Sequence, residues 1–243
     1  MSRFRPLRIT AHLASGIAQS APWGIALDGL IAAEIWAEQK AAARAAGDDY
    51  TRAMDQVSPP DLDLPLSRCM RAGDDLWHWA STCGYHGATS LPTDVRTWTG
   101  RLDHRDLETV ATDLPKVISE RQGRYRARLM PLLVTPCSSI TWHAIGDRDD
   151  LQNLLGSIMS IGKKRSSGEG HVLSWEIEPD PTLDDFTAAH LHPDGTLGRP
   201  TPASCLRGLS GVSDGGVGLA GLRPPYMHQA RQRELRLPAL LAV

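Results

Sequence analysis

The stretch LRITAHLA, Leu7 to Ala14, alternates apolar and polar side chains, and that period predicts a half-buried strand. Gly16 to Trp23 has no period and reads as a loop. From Asp28 the alanine-rich LDGLIAAEIWAEQKAAARAAG predicts a helix to about Ala46. Asp28 is its expected N-cap, Gly47 its left-handed stop, and Leu30, Ile31, Ile35 and Trp36 its buried stripe. Gly47 to Pro65 is polar and proline-rich, a connection. LSRCMRAGDDLWHWAST then predicts two short strands around the turn Ala72-Gly73-Asp74-Asp75.

Residues 87 to 123 show no clean strand period, and a short helix is expected within Asp106 to Ser119. This span reads as an insertion carrying bases. Arg124 to Thr135 is strand-like but broken at Pro131. SITWHAIG, Ser139 to Gly146, is the clearest strand. Asp147 to Asp150 open a helix whose Leu151, Leu154, Leu155 and Ile158 share one face, with Gly162 as its stop. HVLSWEIE, His171 to Glu178, predicts a further strand. The order is the βαββαβ of an α+β, ferredoxin-like (RRM-type) fold with a central insertion. Residues 1–178 form the expected ferredoxin-like domain, with 87–130 as an inserted, thumb-like segment. Residues 179–243 form a C-terminal extension in which LGRPTPASCL and LRPPYM are short extended pieces on or beside the sheet.

The formal charge of −2 does not announce a nucleic-acid binder, but the bases are segregated. Arg121, Arg124, Arg126 and Arg128 follow Glu120 with no acid between them. Lys163-Lys164-Arg165 form a second cluster, and Arg223, Arg231, Arg233 and Arg236 a third. A near-neutral chain with clustered bases can still present a polyanion-binding face. No apolar run approaches the ~20 residues of a membrane span, so a soluble, cytoplasmic protein with no membrane partner is expected. The four cysteines make no CxxC pair, which predicts reduced, buried thiols. Cys69, His78, Cys83 and His86 are a conceivable zinc set, but their spacing matches no compact zinc knuckle, and Trp77 and Trp79 flank His78 as in a strand. Neither a metal nor another cofactor is expected.

The junction IGKKRSSGEGHV, Ile161 to Val172, concentrates conformational freedom and positive charge. It is not a Walker A loop, because no glycine-lysine-serine/threonine run leads into a helix. Nor is it a dinucleotide fingerprint, since the glycines join helix to strand. Glycines allow close backbone approach and left-handed φ, backbone N–H groups can cradle phosphate, and the adjacent bases supply charge. The candidate RNA-binding residues are therefore Gly162, Lys163, Lys164, Arg165, Ser166, Ser167, Gly168, Gly170 and His171. Arg121, Arg124, Arg126 and Arg128 form a second contact, the last three sharing one face if the segment is extended.

Helix, then this glycine loop, then a strand carrying Trp175 resembles the RAMP superfamily of CRISPR-associated RNA-binding proteins. Within it the chain is similar to the type IV effector subunit that caps the crRNA 5′ handle. LRITAHLASGIA with LDGLIAAE, LWHWAST, GRYRARLMPL, ITWHAIGD, GRPTP and LRPPYM carry the likeness in order. Glu169, between the loop glycines, departs from the pattern, and is expected to point away from RNA or meet a base edge or an arginine. The resemblance implies an RNA-binding structural subunit with no catalytic residues. Its implied partners are the crRNA handle, the backbone-forming and large subunits, and target DNA through the complex, where guide pairing supplies specificity. The alternative is a metal-independent crRNA-processing endoribonuclease, with His12, His86, His143, Tyr125 and Lys163 as candidate acids and bases. A protein-only adaptor is the third reading.

Overall fold

A computed structural model describes residues 3–19, 21–86, 92–100, 104–110, 118–119, 121–122, 125–165 and 168–239. The alternation at the N-terminus becomes β1 (Arg5–Leu13), with Leu7, Ile9, Ala11 and Leu13 buried and Arg8, Thr10 and His12 on the opposite face. β1 is the middle strand of a three-stranded antiparallel sheet, between β6 (Ser139–Gly146) and β7 (Val172–Pro179). Ile9 stands between Trp142 and Ile177. Beyond β6 the chain from Leu66 to Tyr85 runs antiparallel to it through bridges Leu66–Gly146, Ser81–Ala144 and Tyr85–Thr141.

Two helices cover the apolar face. α1 (Leu27–Ala46) contributes Leu27 and Ile31, and α3 (Arg148–Gly156) contributes Leu151 and Leu155, to one core with Leu7, Ile9, Trp142 and Ile177. Trp142 of this core and Trp175 packed against it satisfy their indoles: Trp142 Nε1 donates to the Ile25 carbonyl at 2.8 Å, and Trp175 Nε1 to that of Ile158 at 3.0 Å. α1 stops at Gly47, whose φ of 78° is the left-handed cap expected of glycine. Asp147 caps α3 as its position predicts, accepting from the Asp149 and Asp150 amides.

From the edge beside β6 branches a small hairpin, β2 (Arg68–Cys69) with β3 (His78–Trp79). The inserted region holds β4 (Asp94–Gly100), α2 (His104–Val110) and β5 (Arg128–Val134), and β4 and β5 form a two-stranded ribbon. The C-terminal part begins with α4 (Asp185–His190), which lies against β6 and β1, and ends in the pair β8 (Val217–Gly221) and β9 (Gln232–Arg236). Among the described residues this is a mixed α/β chain of four α-helices and several small antiparallel sheets, and no helix is long and apolar enough to cross a membrane.

Three local expectations need correction. Asp28 does not cap α1: Ala26 holds that position without a side-chain bond, and Asp28 is buried within the first turn, used by partners from the far end of the chain. α3 ends at Gly156 rather than Gly162, with the Ser157 hydroxyl donating to the Leu154 carbonyl at 2.7 Å. Pro131 does not break its strand, where it pairs with Thr97. Among the described residues β5 pairs with β4 alone, so half of its N–H groups need no ladder partner and a proline fits.

Candidate nucleic-acid interface

The glycine loop is clamped to the segment after β1. Lys163 N–H donates to the Ala18 carbonyl at 2.7 Å, and Gly170 N–H to that of Gly16 at 2.9 Å. Ile161 N–H donates to the Gly170 carbonyl at 2.9 Å, and Ala14 N–H to that of His171 at 3.0 Å. The chain follows this path through left-handed residues: Gly162 (φ 89°), Lys164 (φ 56°), Gly168 (φ 87°) and Gly170 (φ 66°). A Cβ on Gly170 would stand 1.9 Å from the Ile161 carbonyl oxygen, and one on Gly162 2.5 Å from that of Ala18. These two glycines therefore fit the loop onto its own scaffold. Gly168 faces open space, although its N–H is taken by the Arg165 carbonyl at 3.1 Å.

Lys163 and Arg165 are exposed, and His171 is half-buried. Lys164, the one non-glycine of the described residues at positive φ, lays its ammonium 3.6 Å over the Trp98 ring of β4. Glu169 is buried, and both its oxygens accept from Arg96 Nη1, at 2.8 and 2.9 Å. The carboxylate at odds with a phosphate loop thus meets an arginine, and the same contact fastens the β4–β5 ribbon to the loop. The sequence pattern missed β4, and with it Arg96 and Trp98. The signal available was DVRTWTG, in which Arg96, Trp98 and Gly100 are half-buried at period two while Val95, Thr97 and Thr99 are exposed.

Of the second basic group, Arg128 opens β5 and Arg126 precedes it, while Arg124, with which they are expected to share a face, lies outside the described residues. Arg128 pairs with Gly100, four residues beyond Arg96, about 14 Å along the ribbon. Arg121, Arg126 and Arg128 are exposed. Arg124, Ser166 and Ser167 lie outside the described residues.

Histidines proposed as acids or bases are dispersed. His12 Nε2 lies 3.1 Å from Glu176 on the polar face of the sheet. His143 is buried, its Nδ1 3.2 Å from the Leu191 carbonyl, and burial lowers its pKa. His12 pairs with Ser139 and His143 with Arg8, so four residues, about 13 Å of strand, separate their backbones along one sheet face. Their rings are held by different partners, the Glu176 carboxylate and the Leu191 carbonyl. His86 is buried and Tyr125 half-buried.

A buried polar network was invisible in sequence because its members lie far apart. Arg199 of GRPTP is fully buried; it donates to the Trp79 and Ser81 carbonyls, and reaches that of Leu222 at 3.2 Å and the Tyr226 hydroxyl at 3.3 Å. Tyr226 of LRPPYM stands 2.7 Å from both Asp28 oxygens, and Asp28 is 3.5 Å from Arg199. Burial and the Asp28 carboxylate push the Tyr226 phenol well above its ordinary pKa, so it donates. The grouping of Cys69 and His78 with Cys83 and His86 is also replaced. Cys83 sits beside Arg199 and Asp28, and burial raises its thiol to about 12. Cys69 and His78 instead converge with His190 and Cys205.

Set against known families, residues 5–234 match the one described as CRISPR type IV associated protein Csf3. No curated protein matches the chain.

Proposed function

From the premise that the chain belongs to the Csf3 family of CRISPR type IV associated proteins, we propose that it is an RNA-binding structural subunit of a type IV effector ribonucleoprotein. In this reading it holds the crRNA 5′ handle and caps the filament of backbone subunits, as the RAMP-type resemblance implies. It contacts the large subunit, and meets target DNA through the complex, in the cytoplasm. The fold is read as ferredoxin-like: β6 and β7 flank β1, helices follow β1 and β6, and the Leu66–Tyr85 edge stands for the fourth strand. Residues 1–178 would be that domain, 87–130 its thumb-like insertion and 179–243 the extension.

The observation that carries the reading is the cationic rim of the glycine loop. Among the described residues no carboxylate forms an ion pair with the exposed Lys163 or Arg165, which stand next to Lys164 on Trp98, while the loop acid is neutralised by Arg96. Charge beside an aromatic platform suits single-stranded RNA, which is bound through phosphates and stacked bases. Loop residues Gly162, Lys163, Lys164, Arg165, Ser166, Ser167, Gly168, Gly170 and His171 form the principal contact, and Arg121, Arg124, Arg126 and Arg128 a second. The dispersed histidines favour holding over cutting.

Changing Lys163, Lys164 and Arg165 together to alanine is expected to weaken handle-RNA binding. It should also flatten the salt dependence, by roughly one unit of log–log slope for each phosphate that is no longer neutralised. Affinity and slope both equal to those of the unaltered chain would overturn the reading. A discrete cut in labelled repeat RNA, lost on replacing His12 or Lys163, would replace it with the ribonuclease.

A further inference from the structure

Four side chains that RNA binding leaves unused meet in one buried place. Cys69 ends β2, His78 opens β3, His190 closes α4, and Cys205 lies in the 3₁₀ turn Ala203–Leu206. Each offers one ligand atom, a sulfur or an imidazole nitrogen, and the four atoms lie within 4.8 Å of one another. Donors at zinc–nitrogen and zinc–sulfur bond lengths in a tetrahedron are about 3.3–3.8 Å apart, so small side-chain shifts close this set on one ion.

The histidines give the sharper argument. Nδ1 of His78 lies 3.3 Å from the Leu76 carbonyl, and Nδ1 of His190 lies 3.0 Å from that of Phe186. A carbonyl only accepts, so in the neutral rings both Nδ1 atoms carry the hydrogen and both Nε2 atoms are bare lone pairs. Those two Nε2 atoms face each other at 3.0 Å. Two lone pairs at that distance repel unless a cation stands beside them. A shared proton would relieve the nitrogens alone, whereas a divalent metal satisfies nitrogens and sulfurs together. Carbonyls on the far nitrogens also give the outer-shell pattern that orients metal-bound imidazoles.

We infer that Cys69, His78, His190 and Cys205 form a tetrahedral structural zinc site joining the β2–β3 hairpin to the C-terminal extension. Two sulfurs and two imidazoles, with no carboxylate in the set, suit zinc and not magnesium or calcium. Four protein ligands, all buried, leave no open position for water or substrate, so the ion is structural. On binding, both thiols release their protons to solvent, and two thiolates neutralise the dication. The site ties together segments 112 residues apart, as His78 and His190 are.

The full chain, purified without chelator from zinc-supplemented cells, is expected to hold about one zinc per chain by mass spectrometry. Replacing that zinc with cobalt should give the visible bands of a tetrahedral ion and a thiolate charge-transfer band. Cys69→Ser and Cys205→Ser should lose the metal, while Cys83→Ser and Cys137→Ser keep it. Should the ligand variants fail to fold, a mercurial titration of the unaltered chain decides: one zinc should leave as the two thiols are modified. A zinc-replete chain with no bound metal and no tetrahedral cobalt spectrum overturns the inference. A Cys69–Cys205 disulfide in the native chain overturns it equally.

Discussion

Asp28→Ala should be among the most damaging single substitutions in this chain. Arg199 is fully buried and cannot lose its proton, and the Asp28 carboxylate at 3.5 Å is the acid paired with it. Removing that acid leaves an uncompensated guanidinium in the core and takes the acceptor from the Tyr226 hydroxyl, 2.7 Å away. Breaking a buried pair from one side costs about 3–5 kcal/mol. At about 2–4 °C per kcal/mol for a chain of this size, Tm should fall by roughly 6–20 °C. Tyr226→Phe removes a single hydroxyl and should cost about 1–2 kcal/mol. Arg199→Met added to Asp28→Ala deletes both charges, and should recover part of the loss. Urea unfolding followed by tryptophan fluorescence, alongside thermal melts, measures all four proteins. The reasoning fails if Asp28→Ala costs less than about 1 kcal/mol, or if the double variant is no more stable than Asp28→Ala.

Glu169→Ala removes the acid held by Arg96 and should loosen the ribbon root by about 1–2 kcal/mol, seen as roughly ten-fold faster amide exchange across 94–100; unchanged exchange would show the ribbon is held by other contacts. Gly170→Ala places a Cβ 1.9 Å from the Ile161 carbonyl oxygen and should cost well over 2 kcal/mol. Gly168→Ala, strained but facing open space, should cost only about 1–2 kcal/mol, and equal melting points for the two variants would contradict this. Burial lowers the His143 pKa below its ordinary 6.5, so the folded chain resists a proton that the unfolded chain accepts. That contribution is full above about pH 6.5 and is lost as pH falls below it; Tm measured from about pH 7.5 to about pH 5 should drop less steeply in His143→Asn.

What could be read from sequence was what repeats within a few residues. Leu7, Ile9 and Ala11 announced β1, Ser139 to Gly146 announced β6, and Gly47 marked the end of α1. Asp28 shows where such reading stops. A carboxylate at the start of a helix is ordinarily a cap, and only its partners 171 and 198 residues later, Arg199 and Tyr226, reassign it. Trp98 was hidden because the half-buried face of β4 is Arg96, Trp98 and Gly100, which carries no apolar period. The pairing of Cys69 and His78 with His190 and Cys205 is likewise a product of the fold, since the nearer Cys83 and His86 are the closer choice by spacing.

The place of β1 at the middle of its sheet sets a timetable for synthesis. Residues 5–13 leave the ribosome well before their partners, residues 139–146 and 172–179. At about 5–20 residues per second, the strand waits roughly 10–30 s for its second neighbour. Until residues 139–146 are made, both edges of an alternating Leu-Ile-Ala-Leu strand are unpaired, and this is the species on which a chaperone would act or aggregation begin. Asp28 waits longer still, until Arg199 and Tyr226 have been made, so the N-terminal third cannot complete its core on its own. Long-range pairing of this kind slows folding, and a gene that pauses translation early would lengthen the exposure without bringing the partners closer.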